Sequence, residues 1–333
     1  MKKNFSDKLM IDDISTINIH HFYNTELPVC SIIQLDSGII VVGLFNGSLI
    51  FFQSTNMDEP YLCFKVDQFP IYSILQVEED ELICNSGPNI YIINSSKKKS
   101  NFDKKEKIEN NDIHGTINKL LFMFDKSILI ADDKYISLFS KDKNILNLRK
   151  HLKINAPVMN LYLLQSTVLL AIVPSQQKIL FLDPEKLVKT YEIQNIKFYQ
   201  GIKYDNVICR ISKDLIIIGG CMGHIYLINL KNKQMIANAS IRYKNEIITC
   251  IYLIKNGDIV CGSSMLIKDE KTQQEYVCSN LVQYRFENQI FKEIYRQKYV
   301  HEDIIQKIIE IVNHKGINEF ATISMDGYFK VWD

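Results

Sequence analysis

Residues 301–333 read HEDIIQKIIEIVNHKGINEFATISMDGYFKVWD. Three apolar runs stand out in them, IIQKIIEIV (304–312), NEFATIS (318–324) and YFKVW (328–332), parted by NHKGI and MDG. Runs this short, rich in Ile, Phe and Val and bounded by Gly, Asn and Asp, are predicted as strands joined by tight turns.

The same grammar repeats upstream. PVCSIIQL, GIIVVGL, GSLIFFQ and PYLCFKV form one set, and PIYSILQV, ELICN and NIYIIN open the next. TINKLLFMF, SILIA, YISLFS and ILNLRKHL follow, then VMNLYLL, TVLLAIV, KILFLD and LVKTYEI. Taking the opening of each third strand as an anchor gives Gly47, Asn89, Lys134, Gln177, Gly223, Ser279 and Gly327, at intervals of 42, 45, 43, 46, 56 and 48 residues. The long interval holds MLIKDEKTQQEY (265–276), a polar insertion expected to be a hairpin extension or a loop. Four short strands every 40–45 residues are the period of a propeller blade. The chain is therefore predicted as one all-β domain, a seven-bladed β-propeller of four-stranded antiparallel sheets. The blades fall at about 28–66, 70–112, 116–152, 157–193, 204–241, 246–297 and 303–333. The seventh set stops after its third strand, while ISTINIHHFYN (14–24) belongs to no set. A strand at 14–23 is expected to complete the last blade and close the ring, removing an open sheet edge.

Composition fits. The chain has 333 residues, 47% of them hydrophobic, enough for a large core, and 52 are isoleucine, which favours strands. Lys+Arg total 39 against 38 Asp+Glu, so no global basic face invites nucleic acid. No apolar stretch reaches the ~18 residues of a membrane span, and MKKNFSDKLMIDDIS lacks the apolar core of a secretory signal. Eight cysteines occur without a CxxC pair, mostly inside runs such as VCSII and IVCGS, where a thiol is a small hydrophobe. A reducing, intracellular and cytoplasmic setting is expected, with nucleus and cytoskeleton open.

The stretch 301–333 resembles a WD-repeat unit of the β-propeller family along its whole length. His301 precedes the first strand, Thr322 or Ser324 supplies the small hydroxyl residue of the second, Asp326-Gly327 makes the turn and Trp332-Asp333 ends the unit. The resemblance implies a hydrogen-bonded relay from Trp332 through Thr322 or Ser324 and His301 to Asp326, which pins the blade. The remaining blades are degenerate. FNGSLIFFQ has Asn46 for the usual acid, CMGHIYLIN keeps only Gly223, and Trp332 is the one tryptophan, so those blades are expected to rely on packing. A Ser/His/Asp hydrolase triad uses the same residue types, but no nucleophile elbow is present.

Other chemistry finds little footing. Adjacent His20 and His21 point to opposite faces of a strand and cannot chelate one ion there, and no zinc spacing or HExxH occurs, so no metal is expected. IIGGCMG (217–223) lacks the lysine and helix of a phosphate cradle, and no cofactor is expected. SSKKKSNFDKKEKIENND (95–112) reads as a solvated loop between blades, with Lys97 to Lys107 a possible contact to an acidic partner. The FRRG or LRRG motif of phosphoinositide-binding propellers is absent. First strands such as PIYSILQV and IITCIYLI predict an apolar central channel.

The expected function is a non-catalytic scaffold subunit that binds other proteins. The alternatives are a substrate-recognition or assembly domain of a larger protein, such as one with a RING or kinase domain, and, in another class, a propeller hydrolase or lyase. A channel cluster of His and acids would mark the enzyme. In WD-repeat proteins the loop entering each first strand and the second-to-third-strand turn form the usual docking face. Here those positions carry Tyr23, Phe45, Phe69, Tyr199, Met222 and Met325, with Tyr23 and Phe45 expected as neighbouring anchors.

Overall fold

The computed structural model describes residues 19–96, 101–108, 112–142, 145–165, 167–198, 207–240, 246–254, 257–268, 275–287 and 290–332. Among them the elements are 28 strands and one 3₁₀ turn at Pro174–Gln176. An opening strand, β1 (Ile19–Asn24), precedes blade one: β2 (Val29–Gln34), β3 (Ile40–Leu44), β4 (Ser48–Phe52) and β5 (Leu62–Lys65). Blade two is β6 (Ile74–Glu78), β7 (Glu81–Ser86), β8 (Asn89–Ser96) and β9 (Asn101–Ile108). Blade three is β10 (Lys119–Phe122), β11 (Ile128–Ala131), β12 (Tyr135–Asp142) and β13 (Ile145–Lys153). Blade four is β14 (Asn160–Gln165), β15 (Val168–Val173), β16 (Lys178–Asp183) and β17 (Val188–Gln194). Blade five is β18 (Ile208–Arg210), β19 (Leu215–Gly219), β20 (His224–Asn229) and β21 (Gln234–Ser240). Blade six is β22 (Glu246–Leu253), β23 (Ile259–Lys268), β24 (Glu275–Glu287) and β25 (Ile290–His301). Blade seven takes β26 (Ile305–Val312), β27 (Asn318–Ser324) and β28 (Tyr328–Trp332), and β1 fills its outer place.

Each sheet is antiparallel with its strands in chain order, and the first strands of neighbouring blades face one another around the centre. The ring closes as expected. β1 pairs antiparallel with β28, setting Phe22 opposite Lys330, Tyr23 opposite Phe329 and Asn24 opposite Tyr328. The closing strand is described from Ile19 to Asn24, and residues 14–18 lie outside the described residues.

Seven apolar cores alternate with the seven blades, one between each pair of neighbours. The strand β3 shows why. Ile40, Val42 and Leu44 pack toward blade seven, while Val41 packs toward blade two. A strand buried on both faces needs no polar alternation, so inner strands read as unbroken apolar runs. Packing is close enough to select glycine. At Gly262 in β23 a Cβ would stand 2.5 Å from Cys250 Sγ and 3.2 Å from Ile305, the residue opening the next blade.

The outer edges are interrupted. Thr190 in β17, Ile236 in β21 and Ile294 in β25 are bulged out of register with their partners, as are Arg149 in β13 and Asp103 in β9. The outer strand of blade one is only four residues long. Bulges and short strands keep a sheet edge from recruiting another strand.

Two expectations are corrected. The Lys-rich segment is not a loop between blades: residues 101–108 form β9, with Lys107 opposite Tyr91 and Lys105 opposite Ile93, while Lys97 to Lys99 lie outside the described residues. Ile108 packs into the core with blade three, and that burial holds the strand despite its charge. The insertion in blade six is a hairpin extension, one of the two readings open to it, but it moves the opening of the third strand; residues 269–274 lie outside the described residues. β23 and β24 pair as far as Lys268 opposite Glu275, so the third strand opens at Glu275 rather than Ser279.

Candidate docking face

Blade seven holds a polar chain among apolar strands. Trp332 Nε1 donates to Thr322 Oγ1 (2.9 Å), Thr322 Oγ1 lies 2.9 Å from His301 Nε2, and His301 Nδ1 lies 2.9 Å from Asp326 Oδ2. Trp332, Thr322 and His301 are fully buried, and Asp326 also accepts the Tyr328 and Glu302 amides. Burial pushes the His301 pKa below its ordinary value, with Asp326 pulling the other way. Ser324 stands beside this chain rather than in it: its Oγ donates to Asp303 O and accepts from the Asp326 amide. Asp333 lies outside the described residues.

The other blades do more than pack, which corrects a sequence expectation. Each of several loops entering a blade is tied to a second-to-third-strand turn by a different polar group. Asp67 accepts from Tyr91 Oη (2.5 Å) and Asn89 Nδ2 (3.0 Å) in blade two. Asp132 and Asp133 accept the His114 and Thr116 amides in blade three. Gln177 exchanges two hydrogen bonds with the Phe198 backbone, and Tyr226 Oη accepts the Lys197 amide. No single motif repeats, so a family pattern could not find them.

These ties build one face of the disk from loops and turns. The Phe45 amide donates to Pro28 O and the Ile71 amide to Leu44 O, laying the loops before blades one and two against the turn Phe45–Gly47. Gly47, at φ +85°, has no room for a side chain, since a Cβ would fall 2.4 Å from Asp67 O and 2.6 Å from Phe69 O. The result brings Leu27, Phe45 and Phe69 out to solvent in sequence along the rim, with Phe45 47% exposed. Met222 is also exposed, on the blade-five turn. Tyr23 is different. It belongs to β1, is half-buried, and meets Phe52 edge-on at 5.2 Å, so it is neither a loop residue nor the exposed partner of Phe45. Met325 is half-buried, and Tyr199 lies outside the described residues. Leu27, absent from the sequence reading, takes the place beside Phe45. Its signal was only a leucine before Pro28 in the loop TELP.

The central channel is not bare and apolar. A cavity of about 380 Å³ between blades five, six and seven is lined by Arg210, Tyr252, Lys307 and Glu310 together with Ile208, Ile251 and Ile308. These polar side chains lace neighbouring blades together. Arg210 donates to Leu164 O (3.0 Å), Lys307 to Ile32 O (3.1 Å), Tyr252 to Glu310 (2.8 Å) and Gln34 to Val312 O (2.7 Å). Glu310 is the one acid of the cavity lining, its carboxylate taken by Tyr252 and Asn318, and no histidine lines it. Among the described residues no three His, Cys, Asp or Glu stand together as metal ligands, and no helix is long and apolar enough to cross a membrane.

No protein-family model matches the chain, and no curated protein matches it in sequence. Among solved structures the chain is similar to the WD40 β-propeller domain of Doa1, with a TM-score of 0.64 at 15% identity over 96% of this chain and 97% of that one. At that identity the likeness is one of fold.

Proposed function

We propose that the protein is a non-catalytic docking platform that holds partner proteins on the face built from blade-entry loops and second-to-third-strand turns. The observation that carries this reading is that Leu27, Phe45 and Phe69 are exposed on adjoining loops and a turn whose backbone is fixed by Gly47 and interloop hydrogen bonds. Large apolar side chains on a rigid frame lose little freedom on binding and are typical interface anchors. The WD40 fold of the solved neighbour is in keeping with an interaction domain.

Phe45→Ala should weaken partner binding by about 2 kcal/mol or more with little loss of folding stability. The comparison is with Lys186→Ala, in the third-to-fourth-strand turn of the opposite face, titrated against a partner recovered from native extract. Equal affinities of the two variants would place the interface elsewhere.

A further inference from the structure

The blade-six ribbon rises above this face. Ser279 Oγ and Ser324 Oγ both donate to Asp303 O, at 2.7 and 3.2 Å, so Ser279 lies level with the start of the blade-seven turn. Blade seven turns there at once, through Met325–Gly327. Blade six instead adds four pairs: Met265 with Cys278, Leu266 with Val277, Ile267 with Tyr276 and Lys268 with Glu275. At roughly 3.3 Å per residue they lift the ribbon ~13 Å. Beside it β22 is described from Glu246, opposite Met265, and β25 to His301, opposite Ser279.

That ribbon is apolar on both sides. Directly opposed residues share a side, which sets Leu266 and Val277 on one and Ile267 and Tyr276 on the other. Leu266 and Tyr276 are 56% and 48% exposed. Tyr299, also exposed, stands near the Tyr276 side in a left-handed conformation (φ +57°), its amide held by Asn280 Oδ1. A strained, exposed aromatic at its foot marks a place where burial is expected.

Between the ribbon and the Leu27–Phe45 rim lies the top of blade seven, where acids outnumber one half-buried cation, Lys330, whose Nζ donates to Val300 O beside Asp326 and Glu302. The loops Thr25–Pro28 and Glu302–Ile304 and the turn Met325–Gly327 carry Glu26, Glu302, Asp303 and Asp326 and no lysine or arginine. Glu26 and Glu302 are exposed. Resting on the docking face proposed above, we propose that this trough binds a segment of a partner protein with Lys or Arg at its centre and apolar side chains on both flanks. The basic centre lies over Glu302 and Glu26. One apolar flank packs on Tyr276 and Tyr299 and the other on Leu27 and Phe45.

The test is selection of random twelve-residue peptides on the full chain, followed by anisotropy titration of the selected, fluorescein-labelled peptides. Peptides with a basic centre between apolar residues should be enriched. Their Kd should rise about tenfold or more in Glu302→Lys and in Tyr276→Asp, and stay unchanged in Phe124→Asp, on an exposed turn of the opposite face. Tyr276→Ala repeats the measurement should the aspartate variant melt early. Peptides released by Phe45→Asp but not by Glu302→Lys or the Tyr276 variants would overturn this proposal and leave the docking face standing. Enrichment of peptides without a basic centre would also overturn it. Selection of peptides indifferent to all these variants, or of none, would overturn both readings.

Discussion

Donor and acceptor counting orders the protons in the blade-seven chain. Trp332 Nε1 can only donate, so Thr322 Oγ1 accepts from it and has its own hydroxyl proton to give to His301 Nε2. His301 then carries its proton on Nδ1 and donates it to Asp326. The network thus calls for a neutral imidazole, in agreement with the lowered His301 pKa. A histidine whose folded pKa is depressed binds a proton more readily when unfolded, so its stabilisation is complete above the unfolded value of about 6.5 and is lost as pH falls below it. The melting temperature should therefore drop between pH 7 and pH 5, and drop less in His301→Ala. Trp332→Phe should cost on the order of 1–3 kcal/mol by leaving Thr322 short of a donor. His301→Ala should cost a similar amount, and denaturant unfolding of the double variant should show less than the sum. Strict additivity would separate the two residues.

At the scale of strands, two elements carry the ring. β1 covers the outer edge of β28 and brings Tyr23 against Phe52, across the boundary between blades seven and one. Deleting residues 1–24 should expose that edge and lower the melting temperature markedly or cause aggregation. An unchanged melting curve would mean that β1 does not fasten the ring. β23 carries Gly262, and Gly262→Val should destabilise by about 1–3 kcal/mol, because the added methyls would drive into Ile305 and Cys250. Calorimetry would decide it. These elements also show what could be read without coordinates. Inner strands such as IIVVGL and LIIIGG were legible because both faces are buried. Outer strands such as PYLCFKV, ILNLRKHL and LVKTYEI were legible too, but in β9 a row of lysines hides a strand held by Ile108. The exposure of Phe45 and Phe69 was legible from their place at a turn and a loop. Tyr23, at the end of the expected strand, was misplaced as a loop residue because the closing strand runs on to Asn24.

The molecule as a whole is a ring of seven cores with one in every gap between blades, and its openings are managed in different ways. Outer edges are bulged or short, and the channel is laced by Gln34, Arg210, Tyr252 and Lys307. The face of Leu27, Phe45 and Phe69 is open and apolar on a backbone held by interloop hydrogen bonds. Hydrogen exchange of the chain with and without a bound partner tests this most directly. Protection should rise in peptides covering 25–28, 43–47 and 67–71, and stay unchanged in the opposite turns at 36–38, 123–127 and 184–187. Protection confined to those opposite turns, or to the outer strands, would contradict the account.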